Sequence, residues 1–255
     1  MAQKIVGVDL GTHHIKVVVV SSGLRGVSVV DAFEEPVGVP VVGESDSGEA
    51  ADPLGAVLGV ALGVLRRKRL LGNPIAIALP AGMLSYRVLS FPFSDTRRIA
   101  QAVSFEAEGQ FPIPLDQLVH GHVVVPTPGG GGRALVVAAK SDRVSQIAAA
   151  FRHAGADVKL VTSGAVAAGQ VAMPSLPKLS AEGVERGLQP VSLVVDFGRS
   201  STQLIALGAK GPLAIRTHRR GGKHITAAMA RSYSLEVAEA EAAKHSDGFV
   251  PHRGF

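Results

Sequence analysis

Two segments of this chain place an aspartate two residues ahead of a glycine at the end of an apolar run, and they limit its fold more than any other feature. They are Val6-Gly7-Val8-Asp9-Leu10-Gly11-Thr12 and Val194-Val195-Asp196-Phe197-Gly198-Arg199-Ser200-Ser201-Thr202. A second apolar stretch follows each, Ile15 to Val20 and Gln203 to Leu207, so each reads as strand, tight turn, strand. Glycine lets such a turn form and lets a ligand approach the backbone closely. Exposed amides and hydroxyls at the tip can hold phosphate oxygens, and the carboxylate can hold a divalent cation through water. Because the device occurs twice, two facing half-sites are expected.

The order of elements around the two turns also repeats. Strands are expected over 4–9, 15–20 and 26–34, then a loop over 37–52, a helix over 53–70 and a buried strand over 75–79 ended by Pro80. After a linker over 174–190, strands over 191–196, 203–208 and 212–218 lead to a helix opened by Gly221-Gly222-Lys223-His224-Ile225-Thr226 and an acidic helix over 235–244. Between the repeats lies a block of different pattern. It has a strand over 84–91, a helix from about Arg97 to Gln110 capped by Ser94-Asp95-Thr96 and stopped by Pro112 and Pro114, and strands over 120–125 and 133–140 around Gly129 to Gly132. A helix capped by Ser141-Asp142 then runs to about Gly155. The block reads as an inserted subdomain, and a strand over 157–161 and a helical stretch over 163–172 return the chain to the first unit.

Composition narrows the function classes. With 46% hydrophobic and 18% charged residues, a packed core is assured. With no cysteine, disulfides and thiolate metal sites are excluded, which fits a reducing compartment. The start, Met1 to Ile5, leads directly into a strand, so export through a leader is not expected. The apolar helical segment from Leu54 to Leu65 falls short of the roughly 20 residues a spanning helix requires. Its cationic end, Arg66 to Arg69, is expected to complement the helix dipole or to rest on an anionic membrane surface. The net charge of +5 is dispersed among few aromatic residues, so nucleic acid is not an expected partner. His120 and His122 share a strand face without a third metal ligand at suitable spacing, and the adjacent His13 and His14 are expected to point to opposite faces.

The spacing Asp9-x-Gly11-Thr12-x-x-x-Lys16 resembles the first phosphate motif of the actin and heat-shock chaperone ATPase superfamily, and Asp196-x-Gly198-x-Ser200-x-Thr202 resembles its second. Together with Gln110 to Leu118, and with Gly221 to Thr226 followed by the acidic helix ending at Lys244, they resemble the type IV pilus assembly family PilM. Asp9 to Lys16 and Leu24-Arg25-Gly26 are also similar to the related GspL of the type II secretion platform. The resemblance implies an α/β, actin-like (ribonuclease H-like) ATPase fold with an inserted 1C subdomain of the FtsA/PilM type. Subdomain 1A would span 1–84, 1C would span 85–158, 159–189 would return to 1A and the linker, and 190–255 would begin subdomain 2A. The family's adenosine-side glycine motif is expected beyond residue 255, leaving the second half truncated.

The function this implies is a cytoplasmic scaffold at the inner face of the bacterial inner membrane. In a GspL-like role it would recruit the secretion ATPase and neighbouring platform proteins. In a PilM-like role it would bind ATP and the cytoplasmic tail of a membrane protein. An actin-superfamily ATPase or small-molecule kinase is the enzymatic alternative, but turnover is not expected, and the oligomeric state is left open. MgATP is the implied cofactor. Its nucleotide-binding residues would be Asp9, Gly11, Thr12, Lys16, Asp196, Gly198, Ser200, Ser201, Thr202, Gly221 and Gly222, with Asp9 and Asp196 holding the metal through water. Arg199 stands where nucleotide-handling relatives have small or acidic residues, and could pair with a phosphate or replace the nucleotide's role. Phe105, Phe111, Ile113 and Leu115, around the helix-to-proline break, are expected either to pack between subdomains or to line a partner groove.

Overall fold

The computed structural model describes residues 3–24, 26–38, 53–126, 131–175 and 191–248. Most of the expected loop over 37–52, the tip of the glycine hairpin and most of the linker over 174–190 lie outside them, as do Arg25 and the last seven residues.

The first meander consists of β1 (Gln3–Leu10), β2 (His14–Gly23) and β3 (Gly26–Pro36). Period-two alternation directs Val6, Val8 and Leu10 of β1 and Ile15, Val17 and Val19 of β2 to one buried face. Helix α1 (Pro53–Arg67) covers that face with Val57, Leu58, Ala61, Val64 and Leu65, then returns the chain to β4 (Pro74–Leu79), which pairs parallel to β1. β8 (Asp157–Ser163) adds in parallel to β4, giving the sheet order β3-β2-β1-β4-β8. Helix α1 stops short of the expected residue 70. Arg69 enters the left-handed region at φ 57°, and the Leu70 amide folds back onto the Leu65 carbonyl. The cationic end also does more than face the dipole: Arg67 pairs with Glu35 at 2.7 Å and the Lys68 ammonium lies 4.7 Å from the Phe33 ring centroid.

The intervening block forms an antiparallel sheet of β5 (Leu84–Phe91), β6 (Leu118–Pro126) and β7 (Gly132–Lys140), in the order β5-β7-β6. Helix α2 (Thr96–Ala107) packs Ile99, Val103 and Ala107 onto Leu89, Phe91, Ala134, Val136 and Ala138. Asp95 caps α2 as expected, accepting the Arg98 amide at 2.7 Å. The helix ends at Ala107, before Gln110, because Glu108 is extended and Gly109 takes φ 74°. Helix α3 (Ser141–His153) follows β7 without the expected cap: Lys140 is its N-cap, while the Ser141 hydroxyl donates to the Gln117 carbonyl. Its buried Ile147 and Phe151 belong to the core of the first sheet.

Helix α4 (Gly164–Ala172) follows β8 and packs between the first sheet and a third, which contains β9 (Val191–Phe197), β10 (Thr202–Gly208) and β11 (Gly211–His218) in the order β11-β10-β9. A third core joins Tyr86 and Leu135 to Ala165, Ile205, Leu207 and Ile215. Helices α5 (Gly222–Tyr233) and α6 (Val237–Ser246) pack against each other beyond β11. Among the described residues no helix is long and apolar enough to cross a membrane.

Candidate functional site

Both Asp-x-Gly segments form the hairpins their sequences predict, with each aspartate at the penultimate position of its strand. Asp9 faces Lys16 across the β1/β2 ladder, and Asp196 faces Gln203 across β9/β10. The two ladders therefore superpose in kind, with a lysine opposite the first acid and an amide opposite the second. Burial pushes the Asp9 carboxyl above its ordinary range; Lys16 opposes that shift and Asp196 reinforces it. The two acids thus come from opposite halves of the chain and sense each other's charge.

The turn tips meet as well. Thr12 Oγ1 and Ser200 Oγ are 3.4 Å apart. A Cβ on Gly11 would run into the His14 carbonyl oxygen, so the first turn closes only around glycine. In the second turn the Gly198 amide donates to the Ser201 carbonyl at 3.0 Å, and the Thr202 hydroxyl donates to the Arg220 carbonyl at 2.8 Å. His13 belongs to the turn, with only His14 in β2. Their rings therefore pack edge-on with centroids 4.4 Å apart, instead of pointing to opposite faces. Burial lowers the His13 pKa, aided by the charges of Arg199, His14 and Lys244 and opposed by Glu241.

At the α5 terminus, where the resemblance places Gly221 and Gly222 beside the nucleotide, the first amides are engaged within the chain. In an open terminus they would be free to hold phosphate. Here Gly222 N–H donates to the Gly198 carbonyl at 3.0 Å, Lys223 N–H to the Arg199 carbonyl at 2.9 Å, and Gly221 N–H to His224 Nδ1 at 3.0 Å. A Cβ on Gly221 would collide with the Gly198 carbonyl. Gly221 and Gly222 thus clamp the second turn in place, and their amides are already engaged.

Helix α6 adds side chains that the individual motifs did not single out. Glu241 contacts the Thr226 hydroxyl, accepts from Lys244 Nζ at 2.7 Å and lies 3.9 Å from Arg199 Nη1. Burial opposes ionisation of Glu241, yet the hydrogen bonds from Lys244 and Thr226, the Lys244 charge and His245 override it and hold its carboxyl down to about 2. The Glu-x-x-Lys spacing, which puts both residues on one helix face, was the available signal. Arg199 is turned toward this acid from the second turn.

The donor set fits a magnesium–phosphate group at the turns. Two mutually repelling carboxylates suit a hydrated cation, and Lys16, Thr12 and Ser200 present a cation and hydroxyls beside them. Bound there, the metal would neutralise phosphate charge, with Asp9 and Asp196 orienting its waters. Among the described residues no three His, Asp or Glu side chains form a direct metal cluster, and His120 and His122 lack a third partner.

The expected partner residues divide. Phe111 is buried with α2 under the Arg87 guanidinium, and Leu115 packs against the same cluster, so both serve as core. Ile113 is half-buried, while Phe105 is 77% exposed on α2 and open to contact.

The model of the family described as type IV pilus assembly protein PilM matches residues 7–252. Among solved structures, the chain is similar to a PilM–PilN type IV pilus biogenesis complex with a TM-score of 0.72 and 25% identity, over 96% of this chain and 70% of that one. It is similar in fold to the cytoplasmic domain of Epsl, an inner-membrane component of the type II secretion system of Vibrio cholerae, with a TM-score of 0.53, 12% identity, and 92% and 78% coverage. MreB 5 of Spiroplasma citri bound to AMPPNP shares the fold at a TM-score of 0.50 and 13% identity, over 99% of this chain and 65% of that one. No curated protein matches the sequence. The fold is actin-like.

Proposed function

The chain belongs to the family of the type IV pilus assembly protein PilM, and on that premise we propose that it is an actin-like scaffold that holds the cytoplasmic tail of a pilus membrane protein at the inner face of the inner membrane. The family match across residues 7–252 carries the reading. The similarity to PilM in a complex with PilN supports a PilN-like partner. A GspL-like role in type II secretion, recruiting the secretion ATPase, is the second reading; the Epsl likeness supports it at the level of fold.

On this reading residues 1–84 with 159–189 make subdomain 1A, residues 85–158 the inserted 1C and residues 190–255 belong to 2A, with α3 anchoring the insertion into the first core. The exposed Phe105 offers the inserted block a contact point. The paired turns hold the phosphates and magnesium of ATP as a structural ligand. Turnover is not part of the proposal: the two acids serve as a cation site.

Co-purification tests the scaffold. The chain should retain the cytoplasmic tail of its pilus membrane protein, whereas retention of the secretion ATPase alone would transfer the assignment to type II secretion. Thermal melting tests the paired turns. A ligand bound only by the folded state at one hundred times its Kd adds about 2.7 kcal/mol, so saturating MgATP should raise Tm and EDTA should remove the gain. An unchanged Tm would eliminate nucleotide binding and leave the scaffold assignment standing.

A further inference from the structure

Below the two turns, a buried polar cluster touches all three sheets. The Tyr86 hydroxyl of β5 lies 2.8 Å from Ser163 Oγ at the end of β8 and accepts from Gln203 Nε2 of β10 at 3.1 Å; that amide also reaches Thr217 Oγ1 of β11 at 3.2 Å. Tyr86, Ser163 and Gln203 are 6%, 2% and 4% exposed. At that burial each polar group is held by its partners, because an unmade hydrogen bond leaves a desolvated donor or acceptor.

Each arm of this cluster ends beside one acidic turn. Ser163 caps α4 by accepting the Val166 amide at 3.3 Å, and a Cβ on Gly164, the first residue of α4, would lie 3.9 Å from Asp9 Oδ1. Gln203 is the ladder partner of Asp196, in the position Lys16 occupies opposite Asp9. Cross-strand neighbours of this kind are in side-chain contact range. Tyr86 enters from the β5-β7-β6 sheet, which contributes no residue to either turn. Its hydroxyl stays neutral, because burial pushes its pKa up more than its two hydrogen bonds lower it.

We propose that Tyr86 is a positioning residue that couples both acidic turns to the β5-β7-β6 sheet, so that a change at the turns alters the stability of that sheet. A shift of Asp9 acts through the α4 cap on Ser163, and a shift of Asp196 acts through Gln203; both converge on one hydroxyl. The ligand for this device rests on the reading of the turns as a magnesium–phosphate site, but the coupling itself is a property of the unliganded chain.

Hydrogen exchange in a double-variant cycle tests it on the full chain. Asp196→Asn should change exchange of the β5 amides by about five-fold or more, the lower range of site-to-site coupling, and that change should vanish when Tyr86→Phe is also present. A merely structural hydroxyl would lower β5 protection in Tyr86→Phe while leaving the Asp196→Asn effect intact, and that result would overturn the proposal, as would no Asp196→Asn effect at all. If Tyr86→Phe does not fold, Ser163→Ala paired with Asp9→Asn probes the other arm by the same criterion. MgATP supplies a separate readout: a raised Tm with unchanged β5 exchange overturns the coupling. No rise in Tm removes only the nucleotide reading, and the variant cycle still decides the inference.

Discussion

The hydroxyls of Thr12 and Ser200 stand 3.4 Å apart across 188 residues of sequence, joining the tips of two hairpins that share one design. With an aspartate at the penultimate position of each strand, this meeting brings Asp9 within the field of Asp196. A hydrogen bond between neutral exposed hydroxyls adds little stability. Its significance is geometric, since it fixes where the two acids face each other.

Ionised Asp9 is unfavourable to the unliganded fold, because its folded-state pKa lies above that of the unfolded chain. Asp9→Asn should therefore stabilise the protein at neutral pH. The gain should fade as pH falls through the raised folded pKa and be absent below about pH 3.8, where both states are protonated. Urea denaturation across pH measures this, and the same variant should lose any magnesium-dependent rise in Tm.

Glu241 has the opposite sign. Its folded pKa of about 2 lies below the ordinary 4.5, so its contribution is present above pH 4.5 and lost as pH falls toward 2. Acid titration of stability should show a steeper fall in that window for the native chain than for Glu241→Gln.

His13 reports the closeness of the two halves. Because burial and then Arg199 depress its pKa while Glu241 raises it, Arg199→Ala should move the His13 titration upward and Glu241→Gln should move it downward. Histidine NMR resolves both shifts, and no response to either variant would mean that the halves are farther apart in solution.

Glycine replacements should separate close approach from simple flexibility. Gly11→Ala places a methyl against the His14 carbonyl and should destabilise by about 1–3 kcal/mol. Gly59→Ala, exposed on α1 with nothing within 4 Å of the new methyl, should stabilise by about 1 kcal/mol. Chemical denaturation compares the two directly.

Much of the secondary structure was legible because its signals are local. Alternation marks β1, β2 and β10, Asp95 marks the start of α2, and Pro80 the end of β4. The remaining details depend on neighbours distant in sequence. Ser141 is drawn from capping to the Gln117 carbonyl, Phe111 and Leu115 are taken into the α2 core, and the Gly222 and Lys223 amides are claimed by carbonyls of the second turn. Glu241 and Lys244 were visible as a helical pair, but nothing local indicated that Arg199 and Thr226 would meet them.

The sequence by itself determined the two acidic hairpins and the order of the strands and helices, since turn geometry and the side-chain period are properties of short segments. Only the tertiary structure decided that Thr12 meets Ser200, that α5 closes its amides on the second turn, and that Tyr86 links three sheets. Those outcomes depend on side chains brought together by packing across more than one core, and no local pattern encodes which distant partner will satisfy a buried polar group.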